Sequence, residues 1–267
     1  MSARHCGGIG RMRFCSVAVL FAMLAGCADK SAIERVEWTV MGTVAAVQFR
    51  GEVDKAAVAE VQRVFKDVEK LLNAHDPASE ISALAKEPDS RVLELCNPRM
   101  RPCYEAAFAF RDRTSGVFNP RWRGAGTLDL GAIAKGFAVD MAAERIQPMT
   151  SGREALIDLG GNLKSVSGVW RAAIAGSDKV VTLKPGESCA TSAAYFRGGH
   201  IKDGRTGEPA AKKAFSVSVV HPDSAMTADA LSTVMYILGE KEGLDFIRKN
   251  HPSARVVFCT AKGFTAR

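Results

Sequence analysis

One segment of the sequence combines an acid, a small-residue turn and a lysine in a way that suits a phosphate and its metal ion. It is Thr127-Leu-Asp-Leu-Gly-Ala-Ile-Ala-Lys-Gly-Phe-Ala-Val-Asp140, and its second half is predicted to enter a helix. The free N–H groups and the positive dipole end of a helix start attract phosphate oxygens. Asp129 can hold a cation or a ribose hydroxyl, while Gly131 and Ala132 let a ligand approach the backbone. The alternative is a strand end followed by an ordinary helix cap.

Six short blocks of the chain recur in the same order in a known family. They are Met41-Gly-Thr43, Asp129 to Asp140, Asp158-Leu-Gly-Gly161, Ala190-Thr-Ser192, His200-Ile-Lys-Asp-Gly-Arg-Thr-Gly207 and Ala228-Asp-Ala-Leu-Ser-Thr233. On these blocks the chain, from about Val40 to about Gly239, resembles the ApbE-type flavin transferases. The resemblance implies an enzyme that takes FAD as substrate and attaches FMN to a protein threonine, releasing AMP. It also implies Mg²⁺ as cofactor and an ApbE-like, T-fold-related fold.

The magnesium site that the resemblance implies consists of Asp229, Thr233 and the backbone carbonyl of Ala132. Asp229 is predicted at the start of a helix, so Thr233, four residues later, lies on the same face and can offer a second oxygen. Hard oxygen ligands are those that Mg²⁺ prefers, and the ion neutralises charge when a pyrophosphate is attacked. Some relatives have an aspartate where this chain has Ser232, so the site has one carboxylate fewer. Without the resemblance, Asp229 is equally an acid that stabilises a helix start.

A glycine-rich stretch from Gly198 to Gly207 is predicted to be an exposed loop that carries the catalytic residues. His200 is predicted to deprotonate the acceptor hydroxyl, with Asp203 beside it in the same block. By itself, an exposed histidine is more often without a function. The family commonly has other residues at three positions of this loop, which here are Gly199, Lys202 and Gly204. Replacement of proline by Gly204 is expected to loosen the turn.

Further residues match blocks through which the family contacts FAD. Met41 matches a strand end that faces the flavin, and methionine is a soft contact for an apolar ring. His75 stands where many relatives have a tyrosine near the isoalloxazine. A block that contacts the adenosine half corresponds to Val117, Phe118 and Asn119, with Asn119 in place of a usual aspartate. The remaining predicted FAD contacts are Asp129, Lys135 and Lys202.

The chain is shorter than the family between Pro120 and Thr127, where several dozen residues that cover part of the cofactor pocket are replaced by six. Arg121 and Arg123 can pair with phosphates in their place, or they are solvated charges around a buried Trp122. The short form leaves two alternatives to FMN transfer. One is a non-catalytic FAD-binding lipoprotein that acts as a carrier or reservoir, and the other is an FAD pyrophosphatase that yields FMN and AMP.

The block Cys189-Ala-Thr-Ser-Ala193 resembles the small-residue motif that these transferases modify in other proteins. It is also an ordinary internal block of the enzymes themselves. Thr191 is therefore interpreted as structural, with self-flavinylation as the alternative. The expected acceptor is an exported redox protein with a small-residue Thr-Ser or Thr-Thr site.

The N-terminus has the features of a bacterial lipoprotein signal. Arginines precede an apolar run, Phe14 to Ala25, that is too short to span a bilayer. Leu24-Ala-Gly-Cys27 matches a lipobox, in which the peptide is cut before a cysteine that carries diacylglycerol. The predicted organisation is a signal peptide over residues 1–26, a tether over 27–33 and a single catalytic domain over 34–267. A plain signal peptide or a short buried helix is the alternative, and Met12 is a possible start.

The same segment predicts where the protein works. Arg11-Met-Arg13 is not a twin-arginine pair, which favours export in the unfolded state and cofactor loading outside. The predicted location is the periplasmic side of the inner membrane, with a lipid anchor at Cys27. The net charge of +7 comes partly from the N-terminal arginines. The remainder shows no compact basic stripe with interleaved aromatics, so nucleic acid is not a predicted partner.

An oxidising compartment permits disulfides. Cys96 and Cys103 bracket a short turn-rich loop and are the predicted pair, with two unrelated half-buried thiols as the alternative. No Cys/His cluster has zinc spacing.

Hydrophobic periodicity and turn residues predict the elements that must position these groups. Strands are predicted at Glu34 to Arg50, Glu154 to Asp158, Leu163 to Val166, Trp170 to Ile174, Val180 to Leu183, Ser216 to Val220 and Arg255 to Cys259. Helices are predicted at Asp54 to Leu72, Glu80 to Ala85, Pro102 to Ser115, Thr227 to Leu238 and Glu242 to Asn250. Short strands with glycine punctuation predict a largely antiparallel sheet, and a chain of 267 residues with 47% apolar composition can form one large core. The fold class is α+β.

Overall fold

An antiparallel sheet of eight strands organises the described part of the protein, which comprises residues 32–175, 177–193, 200–210, 214–260 and 263–266 of a computed structural model. In spatial order the strands are β1 (Ile33–Val40), β2 (Thr43–Arg50), β3 (Glu154–Leu159), β4 (Asn162–Ser167), β7 (Ser188–Ala193), β8 (Ser216–His221), β9 (Arg255–Thr260) and β10 (Gly263–Ala266). A separate ribbon pairs β5 (Trp170–Ala173) with β6 (Val180–Leu183). The predictions on the signal peptide, on Cys27 and on most of the tether lie outside the described residues.

Seven helices are present in the described ranges. They are α1 (Lys55–Leu72), α2 (Glu80–Leu84), α3 (Asp89–Leu95), α4 (Arg101–Arg113), α5 (Ala134–Ile146), α6 (Ala225–Leu238) and α7 (Glu240–Asn250). None of the helices in these ranges is both long and apolar enough to cross a bilayer. The predicted α+β class with a largely antiparallel sheet is confirmed.

The two faces of the sheet carry different layers, because side chains alternate along each strand. Ile157 and Leu159 of β3 belong to the main core, which they share with side chains of α1, α5 and α6. Leu156, the neighbour of Ile157, packs instead with Trp170 and Leu183 of the β5–β6 ribbon. The candidate site therefore lies in the helical layer, where α5 and α6 cover the sheet.

The structure corrects the prediction of one continuous strand from Glu34 to Arg50. The chain reverses at Met41 and Gly42, whose φ angles of 51° and 66° form a tight hairpin turn between β1 and β2. Alternation alone could not reveal this turn, since methionine is unusual in the left-handed region. Three further elements, α3, β7 and β10, were absent from the predicted set.

Helix α1 illustrates where periodicity and capping do predict the structure. Its buried residues include Val58, Val61, Phe65 and Leu72, as their spacing indicates. Asp54 caps its start by accepting the N–H of Ala57 at 3.0 Å. The predicted capping of α2 by Ser79 is also present, at 3.3 Å from the N–H of Ser82.

The predicted disulfide is wrong for this structure, where Cys96 and Cys103 are both free, buried thiols. Cys96 ends α3 with its Sγ 3.6 Å from the carbonyl oxygen of Leu93. Cys103 is fully buried on α4, and desolvation, with a further contribution from the charge of Asp229, raises the pKa of its thiol. The buried-thiol interpretation therefore replaces the disulfide.

Candidate functional site

The turn that leads into α5 is built by Asp129. Its Oδ1 accepts the N–H of Gly131 at 2.9 Å, a local turn that aspartate commonly forms. The carbonyl of Leu130 then accepts the N–H groups of Ile133 and Ala134 at 3.0 and 2.8 Å, which starts the helix. Ile133, at the N-cap position, provides no side-chain cap. The predicted helix entrance is confirmed, and the N–H of Gly136 in its first turn finds its acceptor on another helix.

One of these acceptors is Asp229 of α6. Its Oδ2 accepts the N–H of Gly136 at 3.0 Å, although the residue is only 6% exposed. The close approach depends on glycine: a Cβ at Gly136 would lie 2.2 Å from the carbonyl oxygen of Ala225 and 2.8 Å from the Cβ of Asp229. A buried carboxylate therefore lies against the positive end of α5.

This arrangement corrects the prediction that Asp229 stands at the start of its own helix. Helix α6 begins at Ala225, two residues before the predicted Thr227, so Asp229 lies in its second turn. The N-cap is Ser224, which accepts the N–H of Thr227 at 3.0 Å. The interpretation of Asp229 as a simple helix-start acid does not apply, because its carboxylate bonds to another helix.

The ammonium group of Lys135 lies beside the Asp229 carboxylate. Its Nζ donates to the carbonyl of Gly131 at 2.9 Å and lies 3.9 Å from Oδ2 of Asp229. The Lys135 side chain is 27% exposed, so its ammonium is partly open to solvent. Asp129, Lys135 and Asp229, which the sequence placed in two distant segments, are thus connected around the start of α5.

Thr233 lies one turn beyond Asp229, as predicted. Its Oγ1 is 3.3 Å from Oγ of Ser192 on β7, which in turn is 2.8 Å from Oγ of Ser232. Ser232 donates to the backbone carbonyl of Asp229 at 2.8 Å. The position that carries an acid in some relatives is therefore a buried hydroxyl that closes this network.

The donor set decides which metal the site suits. In the described ranges no group of three or more His, Cys, Asp or Glu side chains can hold a metal ion. The ligands predicted from the sequence are the carboxylate of Asp229, the hydroxyl of Thr233 and the backbone carbonyl of Ala132. The structure places the carboxylate at the start of α5 and the hydroxyl beside Ser192. Mg²⁺ is commonly bound by one or two carboxylates together with substrate phosphates and water, whereas zinc sites are built from Cys and His. The residues fit a magnesium–phosphate pair.

The loop of residues 200–210 packs against the predicted adenosine-contacting block. The N–H of Gly204 donates to the carbonyl of Val117, and Nδ2 of Asn119 donates to the carbonyl of Gly204, both at 3.0 Å. A Cβ at Gly204 would lie 2.5 Å from the Cβ of Asn119 and from the carbonyl oxygen of Gly116. A side chain at this position would require the two segments to move apart, so glycine permits the contact; the expectation that Gly204 loosens the turn stays a prediction.

The two predicted catalytic residues occupy different environments in this loop. Asp203 binds Arg205 through both oxygens, at 2.9 Å from Nε and 2.6 Å from Nη2. The hydrogen bonds to Asp203 raise the pKa of Arg205. His200 is exposed at the beginning of the loop. The Asp203 carboxylate organises the turn, and the catalytic roles of both residues stay predictions.

Trp122 connects this loop to Asp129. Its Nε1 and the Nη2 of Arg123 both donate to Oδ2 of Asp129, at 3.3 and 3.0 Å. The guanidinium carbon of Arg123 lies 4.7 Å from the centre of the Trp122 ring, and Nζ of Lys202 lies 5.8 Å from it. The predicted FAD contacts Asp129 and Lys202 are thus brought together by a half-buried indole.

Arg121 is not the phosphate ligand that the sequence suggested. Its guanidinium binds Oδ1 of Asp89 at 2.9 Å and the carbonyls of Ala85, Glu87 and Thr127 at 2.7, 2.6 and 3.1 Å. Burial alone would raise the pKa of Asp89, but its hydrogen bonds to arginines lower it overall. Arg121 therefore holds the short 120–127 segment against α2 and α3.

The other predicted cofactor residues are Val117, Phe118, Met41 and His75. Val117 and Phe118 are each 3% exposed, and the Phe118 ring packs 5.7 Å from that of Phe110. Their side chains belong to the core, which leaves only their backbone for a ligand. Met41 lies half-buried in the β1–β2 turn and donates its N–H to Oε1 of Glu69 at 2.7 Å. His75 is exposed after α1.

Thr191 lies within β7, where its hydroxyl is 2.7 Å from that of Ser218 on β8. This agrees with its structural interpretation. The sequence motifs indicated no role for Asp140 or Lys164, which join α5, α6 and β4. The available signal was that Asp140 and Gly136 lie four residues apart on one helix face, so an acid and a glycine point toward the same neighbour.

Fold and site together define an α+β protein in which a buried acid and a lysine meet at the start of a helix, an arrangement that suits a phosphate-containing ligand together with a cation. The model of the ApbE family matches residues 121–258 of the 267, slightly more than half of the chain. The chain therefore belongs to the ApbE family. The matched region contains Asp129, Lys135, Asp229 and Thr233.

Sequence relatives in this family are named FAD:protein FMN transferase. The protein of Haemophilus influenzae is 31% identical over 160 residues, which are 52% of this chain and 46% of that protein. The protein of Rhodobacter capsulatus is 37% identical over 132 residues, which are 43% of this chain and 25% of that protein. The chain thus spans about half the length, or less, of the curated relatives it matches.

Solved structures agree over a longer range. The flavin transferase ApbE of Vibrio cholerae superimposes with a TM-score of 0.71 over 89% of this chain and 97% of that one, at 21% identity. The apo flavinyl transferase ApbE of Pseudomonas stutzeri gives 0.71 over 89% and 94%, at 22% identity. At this level of identity the likeness shows the fold, and it confirms the predicted ApbE-like architecture.

Proposed function

We propose that the protein is an enzyme that transfers FMN from FAD to a threonine hydroxyl of an exported redox protein and releases AMP. The observation that carries the proposal is the contact of Asp229 with the start of α5, beside Lys135. The names of the relatives, all FAD:protein FMN transferase, support the reaction class.

The charges of the site support a ligand that combines a phosphate with a cation. The start of α5 and the ammonium of Lys135 attract phosphate oxygens, whereas the carboxylate of Asp229 repels them. A divalent cation removes this conflict, because carboxylate and phosphate can both coordinate it. When bound, Mg²⁺ would neutralise charge on the pyrophosphate of FAD, held by Asp229, Thr233 and the carbonyl of Ala132.

The transfer balances without an oxidant or a reductant. A bond forms between the acceptor threonine oxygen and the phosphorus of the FMN half, and the bond from that phosphorus to the oxygen bridging the two phosphates breaks. The bridging oxygen leaves with AMP, and the hydroxyl proton passes to a base and then to solvent. His200, exposed beside the loop that packs on Asn119, is the proposed base.

The remaining chain positions the two ends of FAD. The indole of Trp122, flanked by Arg123 and Lys202, presents an aromatic and cationic surface next to Asp129. Met41 and His75 are the proposed contacts of the flavin. The backbone of Val117 to Asn119 is the proposed contact of the adenosine. Because the side chains of Val117 and Phe118 are in the core, we expect their substitution to affect stability more than FAD binding.

The proposal includes a lipid anchor at Cys27 and a location on the periplasmic side of the inner membrane. The lipobox and its positively charged flank support it. In a Cys27→Ser variant, the protein should move from the membrane fraction to the soluble fraction. A Cys27→Ser protein that stays in the membrane would reject the anchor.

Intact-mass analysis tests the reaction. The purified protein, FAD and Mg²⁺ are incubated with a peptide that contains the Thr-Ser motif, with EDTA in a parallel sample. A metal-dependent gain of one FMN is expected, and it should be lost in Asp229→Asn but kept in Asp245→Asn. Asp245 is a suitable control because it is an exposed acid on α7, paired only with Arg248 among the described ion pairs. Intact FAD would indicate a carrier, and free FMN with AMP a pyrophosphatase.

A further inference from the structure

A carboxylate on α5 caps the N-terminus of the neighbouring helix α6. Oδ1 of Asp140 accepts the N–H of Ala225 at 2.8 Å, and its Oδ2 accepts the N–H of Met226 at 2.9 Å. Oδ2 also accepts the hydroxyl of Ser224 at 3.0 Å. Lys164, on β4, donates to Oδ1 at 2.9 Å. One side chain therefore joins α5, the start of α6 and the sheet.

This cap lies one helical turn from the contact that holds Asp229. Asp140 follows Gly136 by four residues on α5, and Asp229 follows Ala225 by four residues on α6, so each pair shares a helix face. The two helices meet at both points: Asp140 bonds to Ala225, and Gly136 bonds to Asp229. Because packed helices move as rigid units, fixing the first contact restrains the second.

Lys164 offsets the desolvation cost of the mostly buried Asp140 carboxylate, and it also binds the segment that precedes α6. The side chain of Asp140 is 17% exposed, and that of Lys164 is 12% exposed. Lys164 also donates to the carbonyl of Asp223, the residue that precedes the N-cap, at 2.6 Å. The start of α6 is thus attached to the sheet through Lys164 and to α5 through Asp140.

We propose that Asp140 is a positioning residue, which fixes the start of α6 so that the carboxylate of Asp229 stays against the first turn of α5. Its effect on catalysis rests on the proposed function, in which Asp229 holds the metal ion. Asp140 acts through Asp229, because its own bonds run to the backbone of α6, to Ser224 and to Lys164.

The chain contains a control for the loss of charge from a helix-capping carboxylate. Asp54 caps α1 with Oδ1, at 3.0 Å from the N–H of Ala57, and pairs with Nη1 of Arg153 through Oδ2, also at 3.0 Å. It is the same residue type, and like Asp140 it accepts a backbone N–H at a helix start and pairs with a cation. Asp54→Asn therefore removes the charge of a capping side chain without altering the bond between Gly136 and Asp229.

Amide hydrogen exchange at Gly136 tests the positioning directly in the purified full-length protein. In Asp140→Asn we expect this amide to exchange about tenfold faster or more, since its acceptor is no longer held in place. In Asp54→Asn the rate should stay within about twofold of wild type. Should Asp140→Asn fail to fold, Asp140→Glu keeps the charge and should give a smaller acceleration. Wild-type protection of Gly136 in the folded Asp140 variant would overturn the proposal.

Metal dependence separates a positioning role from a purely structural one. In Asp140→Asn the Mg²⁺ concentration for half-maximal FMN transfer should rise about tenfold or more, as for other groups that orient a ligand. The KM for FAD should change by less than about threefold, because the bonds of Asp140 run to Lys164, Ser224 and the backbone of α6 rather than to a predicted FAD contact. An unchanged Mg²⁺ requirement would overturn the positioning role. A wild-type protein that transfers no FMN would reject only the proposed function, because Gly136 exchange still decides the positioning.

Discussion

Replacing Gly136 by alanine tests the contact on which the candidate site depends. Two effects oppose each other at this position. Alanine is favoured over glycine in a helix by at most about 1 kcal/mol, which would stabilise the protein. Against this, the new Cβ would lie 2.2 Å from the carbonyl oxygen of Ala225 and 2.8 Å from the Cβ of Asp229. Both atoms belong to α6, so no flexible side chain can move to relieve the contact.

The steric effect should be the larger one. Overpacking of a core typically costs about 1 to 3 kcal/mol, and here the two helices must separate. Their separation also weakens the hydrogen bond from Gly136 to the Asp229 carboxylate, an interaction of about 1.5 to 3 kcal/mol for a charged acceptor. After subtraction of the propensity gain, we expect Gly136→Ala to lower the free energy of unfolding by about 1.5 to 5 kcal/mol.

Urea denaturation followed by circular dichroism measures this change, with Gly243→Ala as the control. Gly243 is also a buried helical glycine, but its Cβ would meet the Met235 Sδ at 3.1 Å and the Phe258 Cζ at 3.2 Å. Methionine adapts readily, so the control should stay within about 1 kcal/mol of wild type. Equal stability of Gly136→Ala and wild type would refute the close α5–α6 contact and the position of Asp229 with it.

Three other changes have definite expected outcomes. Lys135→Met should lower the Mg²⁺ concentration needed for half-saturation in calorimetric titrations, because an ammonium 3.9 Å from Asp229 competes with the ion; weaker Mg²⁺ binding would contradict this. Arg121→Lys should cost about 2 to 4 kcal/mol of stability in urea, since the carbonyls it binds lose their planar donor; wild-type stability would contradict it. Burial, with smaller contributions from His221 and Arg113, lowers the pKa of His251 from 6.5 to about 4. The folded protein therefore binds this proton more weakly than the unfolded chain, so stability is full above about pH 6.5 and falls toward pH 4, by up to about 2 kcal/mol at pH 5. His251→Gln should lose less stability between pH 7.5 and 5 in urea titrations, and an unchanged pH dependence would contradict the assignment.

Elements whose signals are local could be predicted from the sequence. Asp54 and Ser79 cap α1 and α2 as expected, because a cap involves residues three apart in the chain. The β1–β2 turn was missed because its first left-handed residue is Met41, which gives no turn signal. The strand β7 was missed because its small side chains, in Ser188–Ala193, lack the usual β-branched pattern.

The residues of the candidate site could be predicted from motifs, whereas several of their contacts could not. Motif matching identified Asp129, Lys135, Asp229 and Thr233, and the structure connects them around α5 and its contact with α6. Motif matching could not reveal that the guanidinium of Arg121 is hydrogen-bonded to three backbone carbonyls, since those carbonyls come from separate segments. Burial of Val117 and Phe118 likewise depends on packing that neither motif nor spacing contains.

The N–H groups at the starts of α5 and α6 differ in their hydrogen-bond acceptors, and this difference bears on where an anion can bind. At the start of α6 each backbone N–H has a side-chain acceptor. The N–H of Ser224 donates to His221, and the N–H groups of Ala225 and Met226 donate to Asp140. The N–H of Thr227 donates to the hydroxyl of Ser224. At the start of α5 the N-cap residue, Ile133, offers no acceptor. A carboxylate lies at each helix start, Asp140 at α6 and Asp229 at α5, so charge repulsion alone does not distinguish them. At α6 the N–H groups of Ala225 and Met226 are already bonded to Asp140. At α5, Lys135 and a divalent cation held by Asp229 would offset the repulsion, so a phosphate is expected to approach the start of α5.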